Sequence, residues 1–323
     1  MKIAVIGDVH WSKHSSILRS RGKKYSKRLE ALIDSLNWCE ETADKCGTDM
    51  VVYLGDFFDT PNLNAEEVTA LKEIGWNYQK HFFLVGNHEL GLSANDFNVA
   101  EVFSLIDNAD VISQKCSFEV AGKTIEMVPY YLEENRPELD TADIIFSHND
   151  LKMQYGQYLS TIGYDLNDIA AKCKLFINGH LHNHYITGNV INLGNICGQN
   201  FNEDGFKYEH YMMIVDTDTM TYQLYENPYA IKFFKIENEK VFLRNSAVAS
   251  IKCPYDELEA YKDYYKDILE CRFIVERTKS TSNGDKPDID ISVIDHLSRF
   301  REYVLANIGN DDMTVEELNE VCK

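Results

Sequence analysis

Five short segments carry an unusual density of metal-ligating side chains, and each directly follows an apolar stretch that reads as a strand. They are Asp8-Val9-His10, Gly55-Asp56-Phe57-Phe58-Asp59, Gly86-Asn87-His88-Glu89, Ser147-His148-Asn149-Asp150 and Gly179-His180-Leu181-His182. In an α/β architecture the carboxyl ends of the strands share one edge, which is where sites assemble. Segments scattered between Asp8 and His182 can therefore converge on one place. A single D-x-H or G-H-x-H arises by chance, and a buried histidine at a strand end is more often satisfied by a backbone partner. Five such segments in this order, each behind a strand, constrain the fold far more tightly.

The rest of the chain fits that frame. Lys2–Ile6, Met50–Leu54 and His81–Val85 read as strands. Leu29, Leu32, Ile33, Leu36, Cys39 and Ala43 keep a helical period that Gly47 ends. Asn64 with Glu67 resembles a capping box opening a helix to about Tyr78. This β-α-β-α-β order predicts a mostly parallel sheet with helices on its faces. Ser117–Val120 and Thr124–Val128 flank Ala121-Gly122-Lys123 as a hairpin. Further strands are expected at Ile144–Ser147, Lys174–Asn178, Asn189–Leu193, Tyr211–Asp216 and Thr221–Tyr225. The expected fold class is α/β: a two-sheet sandwich flanked by helices over 1–235, then a small α/β cap with a flexible loop (236–290) and C-terminal helices (291–323). In the cap, Asp256–Glu270 reads as a helix and Cys271–Glu276 as a strand.

Carboxylate, amide oxygen and imidazole are the ligands of hard or borderline divalent ions, and thiolate is absent from the set. Asp8, His10, Asp56, Asn87, His148, His180 and His182 offer seven ligands. That is too many for one tetrahedral ion and about right for two ions sharing a carboxylate. Two ions roughly 3.5–4 Å apart clamp the attacking and leaving oxygens of an in-line displacement at phosphorus. His88 is adjacent to a ligand, and histidine is the side chain best poised for proton transfer near neutral pH. Asp59, three residues after Asp56, is the candidate to orient it.

On these five motifs residues 1 to about 235 resemble the calcineurin-like metallophosphoesterase superfamily. The resemblance implies that Asp8, His10 and His182 hold one metal, that Asn87, His148 and His180 hold the other, and that Asp56 bridges. It also implies that His88 is not a ligand but assists the leaving oxygen, with Asp59 as its dyad partner. Protein phosphatases of this fold carry an Arg after G-D-x-x-D and a His-Gly-Gly at the fourth motif; here Thr60 and Ser147-His148-Asn149 stand instead. Glu89 has the phosphatase form of the third motif. Gly55–Thr60 looks like the second motif of SbcD-type DNA repair nucleases. Met127-Val128-Pro129-Tyr130, followed by Glu133-Glu134-Asn135, is similar to phage recombination endonuclease subunits. That likeness implies a Mn2+-preferring 3′→5′ exonuclease and endonuclease, with Mg2+, Fe2+ or Zn2+ as other ions. It further implies a homodimer whose last helices bind an SbcC-like SMC-type ATPase. The alternative is a phosphatase, or a cyclic-nucleotide or small-molecule phosphodiesterase, on the same fold.

Charge bears on the substrate. The 323 residues carry 32 Lys and Arg against 52 Asp and Glu, a formal charge of -20. Phosphate-binding surfaces are usually basic, so the average speaks against nucleic acid. The distribution speaks for it. Lys13, Arg19, Arg21, Lys23, Lys24, Lys27 and Arg28 fall within residues 11–29, with no acid among them, directly after Asp8 and His10. Lys13, Arg19, Arg21, Lys23 and Lys24 are the expected DNA contacts, and Trp11, Tyr25 and His14 are candidates to stack on splayed bases.

No apolar run approaches the ~20 residues that span a bilayer. The opening Met1–Asp8 reads as a buried strand rather than a signal peptide. Eight cysteines without C-x-x-C spacing fit reduced thiols. The expected location is the cytoplasm of a bacterial or phage-infected cell.

Overall fold

The structure is a computed structural model that describes residues 1–13, 18, 20–77, 79–91, 98–155 and 158–276; positions 155, 158 and 276 are described by backbone alone. In chain order the first half contains β1 (Lys2–Ile6), α1 (Lys27–Lys45), β2 (Met50–Tyr53), α2 (Ala65–Ala70), β3 (Lys80–Leu84), β4 (Ala109–Ile112), β5 (Cys116–Val120), β6 (Lys123–Val128) and β7 (Ala142–Ser147). Four two-residue strands follow: β8 (Leu151–Lys152), β9 (Gln154–Tyr155), β10 (Tyr158–Leu159) and β11 (Tyr164–Asp165). Then come α3 (Leu166–Lys172), β12 (Cys173–Asn178), β13 (Tyr185–Thr187), β14 (Val190–Asn192), β15 (Tyr211–Asp216), β16 (Thr221–Glu226), β17 (Lys232–Glu237), β18 (Ala247–Pro254), α4 (Leu258–Tyr264) and β19 (Glu270–Glu276).

Two six-stranded sheets form the body, in the orders β16-β15-β1-β2-β3-β4 and β13-β14-β12-β7-β6-β5. Strands β1 to β4 are mutually parallel, as are β6, β7, β12 and β14, and antiparallel strands lie at the edges. The alternation of side chains along β1 explains the layering. Ile3 and Val5 face the second sheet, packing with Met127, Ile144, Phe146 and Ile177. Ala4 and Ile6 face the other way, toward Leu29, Leu32, Leu36 and Cys39 of α1. A strand covered on both faces must be apolar throughout, which is why these strands read as short continuous runs. On the far side of the second sheet, Ile145 and Phe176 pack with Ile169 of α3. The result is the expected α/β sandwich of two sheets between helices.

A third, all-parallel sheet, β17-β18-β19, closes its own small core around Ile236, Ala249, Ile251 and Tyr261. The C-terminal helices expected over 291–323 and the loop from Thr278 lie outside the described residues. No helix among the described residues is long and apolar enough to cross a membrane.

Two helices are shorter than their sequence patterns suggest. The capping box at Asn64 and Glu67 is present, yet α2 ends at Ala70, followed by a 3-10 turn over Leu71–Glu73. Asn37 of α1 binds both the Gly75 amide and the Glu73 carbonyl, which pulls the chain out of helical geometry. Likewise α4 stops at Tyr264 rather than Glu270, because the chain must extend for Leu269 N–H to reach Ala247 O and for Glu270 to pair with Val248.

Candidate metal centre

The parallel strands of both sheets end on one side of the sandwich, and the five motifs leave from those ends. Asp8 and His10 follow β1, Asp56 and Asp59 follow β2, and Asn87 and His88 follow β3. From the other sheet His148 follows β7, and His180 and His182 follow β12. His10, Asp56 and His180 adopt left-handed backbone conformations with φ of 50°, 45° and 74°. Such conformations are costly for non-glycine residues and persist where the surroundings over-determine them. Two glycines make the packing possible. A Cβ at Gly86 would lie 2.2 Å from Asp56 Oδ1, and one at Gly179 would lie 2.6 Å from Asp8 Oδ1.

The side chains converge as two neighbouring groups, Asp8/His10/His182 and Asp56/His148/His180. In the second, His148 Nδ1 donates to Leu54 O at 2.8 Å, which turns Nε2 toward the site. That Nε2 lies 3.1 Å from Asp56 Oδ2 and 3.3 Å from Asn87 Oδ1. His180 Nδ1 also lies 3.0 Å from Asn87 Oδ1. In the first group His10 Nε2 and His182 Nε2 are 2.9 Å apart, and Asp8 Oδ2 is buried without a hydrogen-bond partner. Lone pairs crowd together here with too few protons between them. That arrangement fits divalent cations, and the donor types are those of hard or borderline ions.

The titration of the site carries the same message. Burial alone would lower His148, but the Asp56 carboxylate outweighs it and raises the imidazole to about 9. Asp56, which burial would raise, is held far below the usual carboxylate range by His148. His10, by contrast, is lowered by burial. The carboxylates of the cluster favour positive charge at its centre.

All seven expected ligands thus lie together. His88 is the most open of the group, with 37% of its side chain exposed. Its main-chain N–H donates to Asp56 Oδ1 at 2.9 Å, and its ring stands edge-on to His10 at 4.8 Å between centroids. His10, Asp56 and His88 also lie close enough to form a third ligand-like group. Asp59 does reach His88, but through its main chain: His88 Nδ1 donates to Asp59 O at 2.8 Å. The Asp59 carboxylate is 4.0 Å from that nitrogen. It accepts instead from Gln199 Nε2 at 2.6 Å and lies 3.3 Å from His10 Nδ1.

Three carboxylates support the site residues. Glu89, fully buried, accepts from the Gly86, Asp56 and Phe58 amides at 2.6, 2.9 and 2.7 Å, tying the second and third motifs together. Burial and then the Asp56 carboxylate raise it to about 8, against the pull of those amides. Asp150 lies 3.2 Å from His180 Nε2 and Glu203 3.2 Å from His182 Nδ1. Glu89 and Asp150, inside the third and fourth motifs, were readable as neighbours of the site; Glu203 was not.

The basic run after His10 is less free than its sequence suggests. Arg28 is buried, and its guanidinium donates to Gly198 O and His10 O at 3.0 and 3.1 Å, so it serves as scaffold. Lys27 donates to Leu269 O. Arg21 pairs with Glu66 and Lys24 with Glu73, both basic side chains staying about two-thirds exposed. Lys23 is exposed, Lys13 is partly so and engages Glu67 through its main-chain N–H, and Arg19 and His14 lie outside the described residues. The expectation that Trp11 and Tyr25 stack on bases is corrected. Trp11 is 1% exposed, its indole N–H donating to Glu67 O, and Tyr25 is 6% exposed with its hydroxyl on Glu73.

A fold of this kind with acidic and imidazole ligands at its strand ends defines a phosphoester-hydrolysing class. The model of the calcineurin-like phosphoesterase family matches residues 1–184, and the chain belongs to that family. No curated protein matches the chain. Among solved structures it is similar to a novel archaeal phosphodiesterase, at 14% identity and TM-score 0.38, covering 70% of this chain and 99% of that one. A hypothetical protein from Thermus thermophilus is similar at 12% identity and TM-score 0.38, covering 71% and 100%. A single mutant of Vps29 from Entamoeba histolytica is similar at 13% identity and TM-score 0.32, covering 70% and 99%.

Proposed function

We propose that the protein is a two-metal phosphodiesterase acting on DNA, with Mn2+ as its ion, working as the nuclease subunit of an SbcC/SbcD-like recombination and repair complex. The observation that carries the reading is the convergence of His148 Nε2, His180 Nδ1, Asn87 Oδ1 and Asp56 Oδ2 beside Asp8, His10 and His182. Bound there, two divalent ions would polarise the phosphate and lower the pKa of water. The chain's own residues do the rest. Asp56, near both groups, would be the carboxylate they share. The Asp59 carbonyl accepts the Nδ1–H of His88 and so orients the ring; as the imidazolium, His88 would give its Nε2 proton to the leaving oxygen and return to the neutral Nδ1–H form. Glu89 keeps Asp56 and the Asn87-His88 turn in register.

DNA as the substrate rests on the resemblance of the second motif and the 127–135 segment to SbcD-type and phage nucleases, and on the exposed Arg21, Lys23 and Lys24 beyond His10. The homodimer, the 3′→5′ exonuclease and endonuclease activities, and a partner-binding role for 291–323 rest on the resemblance alone. A second reading, a small-molecule phosphodiesterase or phosphatase, is favoured by the pairing of Arg21 and Lys24 with Glu66 and Glu73. One assay separates the two. The protein with Mn2+ is given end-labelled DNA or bis-p-nitrophenyl phosphate, with H88A alongside. The DNA reading expects degradation of DNA, reduced about 10²–10⁴-fold in H88A. Turnover of the small ester with DNA untouched supports the second reading. Equal activity of H88A overturns the role of His88.

A further inference from the structure

The two histidines of Gly179-His180-Leu181-His182 face the site with different ring nitrogens. His180 turns Nδ1 toward Asn87 Oδ1, and His182 turns Nε2 toward His10 Nε2. Each outward nitrogen meets a carboxylate. Asp150 Oδ1 lies 3.2 Å from His180 Nε2, and Glu203 Oε1 lies 3.2 Å from His182 Nδ1. A carboxylate accepts only, so each ring nitrogen facing one must carry the proton, and the opposite nitrogen keeps its lone pair for the site. Two histidines separated by one residue are thus set in opposite tautomers by carboxylates from different parts of the fold.

We infer that Asp150 and Glu203 are positioning residues that act on different metal positions, Asp150 on Asn87/His148/His180 and Glu203 on Asp8/His10/His182. The inference rests on the two-metal reading above. The two buttresses differ in rigidity. Glu203 is 5% exposed, shares Oε1 with Asn195 Nδ2 at 3.1 Å, and takes the Gln199 amide on Oε2 at 2.9 Å. Gln199 in turn binds Asp59, so Glu203 fixes a loop that also touches the residue beside His88. Asp150 sits at the rim with 26% of its side chain exposed and holds His180 alone among the site histidines. Losing such a partner typically costs about 10–100-fold in metal affinity.

The test reads Mn2+ binding to the metal-free full chain by calorimetry, without any assay of activity. H10A removes one position and H148A the other, so each background isolates a single site. D150A is expected to weaken Mn2+ binding tenfold or more in H10A and less than twofold in H148A. E203A is expected to do the reverse. D150N and E203Q, whose amide oxygens can accept the same ring N–H, are expected to recover part of the loss. Equal effects of D150A in both backgrounds, or none in either, overturn the inference. If E203A does not fold, the Asp150 pair decides it alone. Failure of the wild-type chain to bind two Mn2+ overturns the two-metal reading instead, which keeps the two failures apart.

Discussion

At the scale of single residues, the chemistry depends on side chains that never reach a substrate. Glu89 is the clearest. Its carboxylate receives three buried amides, one of them from Asp56, whose φ of 45° needs support from outside its own strand. E89A would strand those donors away from water, at a cost on the order of 3 kcal/mol. A urea midpoint lowered accordingly, at unchanged slope, is the expected result; an unchanged midpoint means that the amides find other partners. The ligands were readable in the sequence because each motif is local, a ligand within a few residues of a strand end. Of the residues that support them, Glu89 and Asp150 lie inside the motifs, but Glu203 and Arg28 do not. Glu203 meets His182 and Arg28 meets the His10 carbonyl only through closure of the tertiary fold. The same closure explains Trp11 and Tyr25, which sit among charged neighbours in sequence but turn inward against Glu67 and Glu73.

At the scale of elements, the apolar pattern located most strands of the two large sheets, and α1, to within a residue or two. It did not locate β4, β13, α3 or the two-residue strands β8 to β11, nor β17 and β18, although β18 at eight residues is the longest strand. Helix ends were set by partners rather than by propensity, as the capture of Gly75 by Asn37 shows. The docking of α1 on the first sheet has a polar core of its own. Glu40, 2% exposed, accepts from Tyr53 Oη at 2.7 Å and lies 3.1 Å from His81 Nε2, joining α1 to β2 and β3. E40A leaves the Tyr53 hydroxyl and His81 Nε2 buried without this acceptor, and about 3 kcal/mol of stability should go with it. Because these groups are remote from the motifs, Mn2+ stoichiometry should not change. Loss of metal binding in a folded E40A protein contradicts that separation.

At the scale of the whole molecule, two sheets from distant parts of the chain bring their parallel strands to one edge, and that edge carries the site. The formal charge of -20 sits awkwardly with a DNA substrate until the charge is placed. Acidic residues hold the centre, while Arg21, Lys23 and Lys24 are exposed on the segment leaving His10. Surface pairs such as Arg21–Glu66 are weak and can yield to a phosphate. If DNA uses this segment, a K23A/K24A double variant should lower the slope of log affinity against log salt by about 1–2. An unchanged slope places the DNA elsewhere or removes it. The proposed two-metal centre underlies both functional readings, and anomalous diffraction from crystals grown with Mn2+ tests it most directly. Two peaks about 3.5–4 Å apart are expected, one at Asp8, His10 and His182, the other at Asn87, His148 and His180, with Asp56 between them. A single peak, or none at these residues, would contradict it.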